Sequence, residues 1–188
     1  MSEPNDVIIH TDNWVKRVIM KYNICPFARR EVERNAMRYR VVEDTKFKAV
    51  LKQLIDECQY LDQHENLETS LFILPRGFED FYTYLDLVDA ATDCLAEQGY
   101  EGIYQLASFH PDYCFEGDDE QAAANYTNRA PYPTLHIIRE ASLEKALAGY
   151  LEPESIPQRN IGFCERKGAE FFRDLLAQCK KDGPQGRH

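Results

Sequence analysis

The chain has 188 residues, with 22 Lys and Arg against 32 Asp and Glu, giving a formal net charge of −10. That balance argues against a broad nucleic-acid-binding face, which needs clustered positive charge, and a content of 44% hydrophobic and 12% aromatic residues excludes a wholly disordered chain. No apolar run approaches the roughly 20 residues that span a bilayer, and Met1 to Asp12 has neither the basic start nor the apolar core of an export signal.

In chain order, the first helix is predicted to start at Thr11 or Asp12, both good N-caps. Val15, Val18, Ile19 and Tyr22 continue it at helical spacing. Asn23 and Pro26 interrupt it, because proline disfavours helix at the preceding residue, Cys25. Residues 39–43 read as a short strand. Thr45 to about Tyr60 is a strong amphipathic helix on Phe47, Val50, Leu51, Leu54, Ile55 and Cys58. Thr69 to Leu74 is an apolar strand, Phe78 to about Gln98 a helix stopped by Gly99, and Ile103 to Phe109 a third strand. Thr134 to Arg139 is the fourth strand. Ser142 to Leu151 is a short helix, and Pro157 to Lys181 one final helix.

Strands alternating with helices predict a single α/β domain over residues 1–181, with 182–188 as a frayed tail. The central sheet is expected to have about four mostly parallel strands covered by helices. The fourth is free to run antiparallel, since no helix need separate it from the third. The six cysteines form no CxxC pair, and reduced thiols in a cytoplasm are expected.

The segment from His110 to Pro133 stands apart. It has about two dozen residues with little periodicity, whereas loops beyond about 12–15 residues are usually functional or disordered. It leaves the carboxyl end of a strand, where open α/β sheets bind ligands. His110 and His136 lie on the two strands it joins, so their imidazoles would converge if those strands were neighbours. Imidazole serves near neutral pH as acid, base or metal ligand. Alternation along the fourth strand gives His136 a second reading, as a core residue with a satisfied nitrogen. Arg129, with Asn128, Tyr132 and Arg139, would orient a phosphate or carboxylate.

Cys25 lies at a helix break with Arg29 and Arg30 close in sequence, a setting that can lower a thiol pKa and suit a one-thiol nucleophile; its other reading is a buried thiol packing under the first helix. The Cys25-Pro26-Phe27 phrase is similar to a dithiol redox loop, but Ala28 stands where the second cysteine belongs. Residues 29–40 hold five arginines against two glutamates, a strip that would meet an anion or RNA, or pair with acids elsewhere. No HxH, HExxH or paired CxxC occurs. A dispersed metal site from Cys25, His110 and His136, with Asp112 or Asp118, would suit zinc or iron.

Three phrases together are specific: Asn-Ile-Cys-Pro-Phe-Ala at 23–28, Ser-Phe-His-Pro at 108–111 and Asn-Arg-Ala-Pro-Tyr-Pro-Thr-Leu-His at 128–136. On them the chain resembles the bacterial family catalogued as domain of unknown function 1415, over nearly its whole length. The resemblance implies a stand-alone bacterial cytoplasmic protein of about this size and implies no activity. Where the family phrase has Asn-Arg-Ser-Pro, this chain has Ala130, so no serine hydroxyl acts there.

These readings lead to an enzyme, a hydrolase or transferase, acting on a small polar or anionic metabolite. His110 is its acid/base, Arg129 its anion clamp, and His136 and Cys25 complete the pocket. The alternatives are a metal-binding protein or metal-dependent enzyme using Cys25, His110 and His136, and a non-enzymatic module that binds protein or RNA. Alanine at His110 or Arg129 is expected to abolish activity with stability held within about 1 kcal/mol.

Overall fold

In the computed structural model, which describes residues 3–181 and Gly183, helices and strands alternate as the hydrophobic periodicity predicts. The strands are β1 (Met37–Val41), β2 (Thr69–Ile73), β3 (Tyr104–Phe109) and β4 (Thr134–Arg139). The helices are α1 (Pro4–Trp14), α2 (Pro26–Glu33), α3 (Phe47–Gln63), α4 (Phe81–Glu97), α5 (Glu140–Leu147), α6 (Ile156–Lys167) and α7 (Ala169–Lys181). A π-helical stretch, Val15–Met20, prolongs α1, and a 3-10 turn, Ala123–Thr127, sits in the long loop. Apart from Gly183, the tail expected over 182–188 lies outside the described residues.

The sheet order is β1-β2-β4-β3. β1 and β2 are parallel, whereas β4 runs antiparallel to both β2 and β3. The expected mostly parallel sheet is therefore corrected: two of its three pairings are antiparallel. β3 reaches β4 through a loop with no crossover helix, and such a return yields an antiparallel pair. β4 then wedges beside β2, where a third parallel strand would otherwise lie. β1, β2 and β3 still share one direction.

Both faces of the sheet are covered, which explains the near-continuous apolar run of β2. On one face, Phe72, Leu135 and Ile137 pack against Val50, Leu54 and Cys58 of α3 and Tyr84, Leu87 and Ala91 of α4. The i, i+4 and i, i+3 spacings of those helices present a continuous apolar stripe. One polar cluster lies beneath α3: the buried Glu57 accepts from Arg38 Nε at 2.8 Å and from Ser70 Oγ at 2.6 Å. On the other face, Leu71, Ile73 and Phe109 pack beneath Trp14, Val18, Cys164, Phe172 and Cys179.

α5 ends at Leu147 rather than Leu151, and α3 and α4 start two and three residues later than the sequence reading, while two further differences have a direct physical cause. α1 begins at Pro4, because proline is favoured in the first turn, where its missing N–H costs nothing. Thr11, the expected cap, instead donates its hydroxyl to the Val7 carbonyl at 2.8 Å from within the helix. The expected final helix is two, broken at Gly168, whose φ of +84° suits glycine. No helix among the described residues is long and apolar enough to cross a membrane.

Candidate functional site

The carboxyl ends of β1, β2 and β3 and the amino end of β4 meet at one edge of the sheet. The loop 110–133 is built over that edge. Asn125, fully buried, organises it: Oδ1 accepts the Phe115 N–H at 3.0 Å and Nδ2 donates to the Asp119 carbonyl at 2.9 Å. Asn128 closes it, donating Nδ2 to the Ser108 carbonyl at 3.2 Å while its own carbonyl accepts the His110 N–H at 3.1 Å. Tyr84 of α4 locks the strand ends: its hydroxyl donates to the Thr134 carbonyl at 2.8 Å and accepts the Phe109 N–H at 3.2 Å.

His110 is 0% exposed. Its Nδ1 accepts the Asp112 N–H at 3.0 Å, which leaves the proton on Nε2, and Nε2 donates to the Phe78 carbonyl at 3.0 Å. The rings of Phe81 and Tyr84 flank it at 5.1 Å each. Burial holds its pKa below the ordinary imidazole value, against the opposing bond to Phe78. His110 is thus a neutral peg that joins the loop to the turn after β2. That turn depends on Gly77, at φ +82°, where a Cβ would lie 2.7 Å from the Thr45 Cβ. Because both nitrogens are bonded, alanine at His110 would orphan an amide and a carbonyl, so the expected near-neutral stability effect is revised to a large one.

His136 and His110 do not converge, although β3 and β4 are neighbours. His136 pairs across the sheet with Ala107 and shares the face of Phe109, whose ring lies 6.4 Å away. His110 follows Phe109 and so turns to the opposite face, toward α4. The Thr69 hydroxyl donates to the Ile137 carbonyl at 2.6 Å, so His136 Nε2–H donates to Thr69 Oγ1 at 2.5 Å. Burial pushes the His136 pKa down to about 4. This matches the core reading of His136.

Cys25 is the N-cap residue of α2 and is half-buried at the margin of the α1–α6–α7 core. Burial raises its pKa and outweighs the main-chain N–H groups of Ala28 and Phe27, so the thiol stays protonated, opposite to the expected lowering. Among the described residues, no three His, Cys, Asp or Glu side chains come together as a metal-binding group. Cys25, His110 and His136 therefore do not assemble into the expected zinc or iron site.

Arg139 lies at the other end of β4. Its Nε donates to the Leu67 carbonyl at 2.9 Å, its Nη2 donates to the Leu61 carbonyl, and the guanidinium stacks over Tyr104 at 5.3 Å. The arginine strip is divided between α2 and β1 and is paired. Arg30 and Arg34 face Glu31 at 3.6 and 3.9 Å, Arg38 binds Glu57, and Arg40 donates to Gln53 at 3.3 Å.

Arg129 staples the loop. Its Nε donates to the Tyr113 carbonyl at 3.0 Å and its Nη2 to the Glu120 carbonyl at 2.7 Å, with the guanidinium 4.7 Å over the Tyr126 ring. The guanidinium forms part of the wall of two clefts. The first, about 410 Å³, lies between the loop and α7; Arg129, Arg173 and Lys180 line it, with Asp112 the one carboxylate among the described lining residues. Lys180 Nζ sits 4.7 Å over the Tyr132 ring, and Tyr132 hydroxyl and His10 Nδ1 are 2.7 Å apart. Partial desolvation lowers the Lys180 pKa, and Asp112 opposes the shift. The second cleft, about 740 Å³, lies between the loop and the start of α4, with Phe81, Tyr82, Tyr113 and Phe115 among its walls.

Sequence reasoning placed Asn128, Arg129 and Tyr132 at this edge and missed Arg173, Lys180 and Tyr84. Arg173 and Lys180 look like ordinary surface residues of a terminal helix; only tertiary packing brings them to the loop. Tyr84 reads as a core position, and nothing in its spacing reveals the two backbone groups it holds.

No curated protein and no solved structure matches this chain. Residues 6–174, nearly all of the described fold and the whole of the loop, match the family described as protein of unknown function DUF1415, and the chain belongs to that family.

Proposed function

We propose that the chain is an enzyme that binds a small anionic metabolite in the cleft between loop 110–133 and α7. The observation that supports this most is the concentration of Arg129, Arg173 and Lys180 around one concavity in a chain of net charge −10. A guanidinium pair and an ammonium suit a phosphate or carboxylate, whose charge-assisted hydrogen bonds are among the stronger ones. The clamp expected of Arg129 becomes a shared one, because its Nε and Nη2 already serve the loop.

The acid/base role expected of His110 passes to Asp112 and Lys180, which line the cleft. His110 acts as a positioning residue, fixing the Asp112 main chain through its Nδ1. Proton transfer between a bound anion and these two side chains fits a hydrolase or transferase. The proposed setting is the bacterial cytoplasm, which suits cysteines that form no disulfide among the described residues.

Thermal denaturation in the presence of phosphate, phosphate monoesters and di- and tricarboxylates tests the reading. An anion at 100 times its Kd stabilises the fold by about 2.7 kcal/mol, which raises Tm by roughly 5–10 °C for a chain of this size. At least one anion is expected to do so, and to lose most of that effect with Lys180→Ala. No shift from any anion, or equal shifts in both proteins, contradicts it.

A further inference from the structure

The two clefts have opposite character and share a ridge: Asp112, Gln121 and Arg129 line both. On the α7 side the ridge faces Arg173 and Lys180. On the α4 side it faces Glu116, Asp118 and Glu120.

The α4-side cleft has a second feature that carboxylates alone would not give. Its aromatic rings form a continuous wall. Phe81 lies 6.3 Å from Tyr82 and 5.4 Å from Tyr113, and Tyr113 meets Phe115 edge-on at 5.1 Å. Tyr82 at the rim is 76% exposed, an unusual position for an aromatic side chain. Aromatic faces beside carboxylates are the surroundings that bind an organic cation, through cation–π and Coulombic attraction together.

From this juxtaposition we infer that the ligand is an organic zwitterion that straddles the Asp112–Gln121–Arg129 ridge, with its ammonium in the aromatic, acidic cleft and its phosphate or carboxylate in the basic one. The inference rests on the anion-binding reading of the α7-side cleft and adds the second half of the ligand. It also gives the ridge a purpose. Arg129 is held rigid by Tyr113, Glu120 and Tyr126, so the spacing between the two clefts is fixed, and the distance between the ligand's charges is what the site selects.

The test is equilibrium binding to the full chain of two homologous series, ω-aminoalkyl phosphates and ω-amino carboxylates. Inorganic phosphate and choline serve as the separate halves. One chain length is expected to bind at least tenfold tighter than inorganic phosphate, with affinity falling on either side of it; the better series identifies the anion. Tyr82→Ala, at an exposed position, and the pair Glu116→Gln with Asp118→Asn are each expected to return that ligand to the affinity of phosphate while leaving phosphate binding unchanged. Phosphate binding with no gain at any chain length, or a gain that survives both variants, overturns the zwitterion alone. Failure to bind phosphate brings down the basic cleft and the zwitterion together. Choline bound without phosphate also overturns both, and leaves the aromatic cleft as a separate cation site.

Discussion

Arg129 and Arg139 bracket β4 and are held in the same way. Each donates Nε and Nη2 to backbone carbonyls and lays its guanidinium over a tyrosine ring. At the carboxyl end of β4, Arg139 ties the strand to the end of α3 and to the entry of β2. At the amino end, Arg129 does the same for a loop whose inner side packs on the core through Tyr126 and Ala130 and whose outer surface forms the wall of two clefts. The bonds of an arginine do not reveal whether it is structural or functional. What separates these two is the chain around them: a short connection packed closed at one end, and a long loop propped open at the other.

The largest effect expected is at the open end. His110→Ala leaves the Phe78 carbonyl and the Asp112 amide without partners and opens a cavity beneath the loop. Those losses lower stability by about 4 kcal/mol in urea denaturation. A loss under about 1 kcal/mol means that the loop does not depend on its peg, and the contrast between the two ends disappears.

The middle of β4 gives a pH dependence. The folded pKa of His136 is pushed down to about 4, well below its ordinary 6.5. Between those values the unfolded chain binds the extra proton, so stability is complete above pH 6.5 and falls as pH drops toward 4. At 1.36 kcal/mol per pH unit, the loss is about 3 kcal/mol. Denaturation midpoints measured across that window are expected to flatten in His136→Gln, less the share that His110, also lowered, continues to supply.

The paired arginines sharpen the comparison directly. Arg139→Met and Arg129→Met each lose two hydrogen bonds to carbonyls, a cost of about 2 kcal/mol. Only Arg129→Met is expected to weaken phosphate binding, by about tenfold. Equal weakening by both variants breaks the comparison.

The smallest effect is at the closed end. Glu31 is buried, with one carboxylate oxygen that accepts no hydrogen bond among the described residues and faces Arg34 at 3.9 Å, and burial and Glu68 raise its pKa against Arg34 and Arg30. A raised carboxyl pKa means that the fold favours the protonated form, so its stabilising share is present at low pH and lost as pH rises through the folded value. Glu31→Gln is therefore expected to raise Tm at pH 7 by about 2 °C and to leave it unchanged below pH 4.

Much of the fold was legible in the sequence because each element carries its own periodicity. β4 spans Thr134–Arg139 as predicted, and α3 and α4 follow their apolar stripes. The long loop announced itself by length. The site's chemistry was less legible, because it depends on tertiary placement. Whether His110 meets His136 is decided by one step of strand alternation past Phe109, which sends the two rings to opposite faces. Lys180 and Arg173 reach the loop only because α7 folds back across the sheet, a placement with no signature in local spacing. Cys25 stood between two readings for a related reason: the helix N-terminus is visible in the sequence, and the burial that outweighs it is not.

In the proposed function the loop and α7 together hold an anion. Isothermal titration of inorganic phosphate, in low salt, into the wild-type chain and the Arg173→Ala/Lys180→Ala double variant tests it most directly. Each charge-assisted contact removed is worth about 1.5–3 kcal/mol, and 1.4 kcal/mol is tenfold in affinity. Saturable one-site binding is expected in the wild type and a loss of at least about 100-fold in the variant, with its denaturation midpoint unchanged. Absence of saturable binding in the wild type, or equal affinity in both proteins, contradicts it.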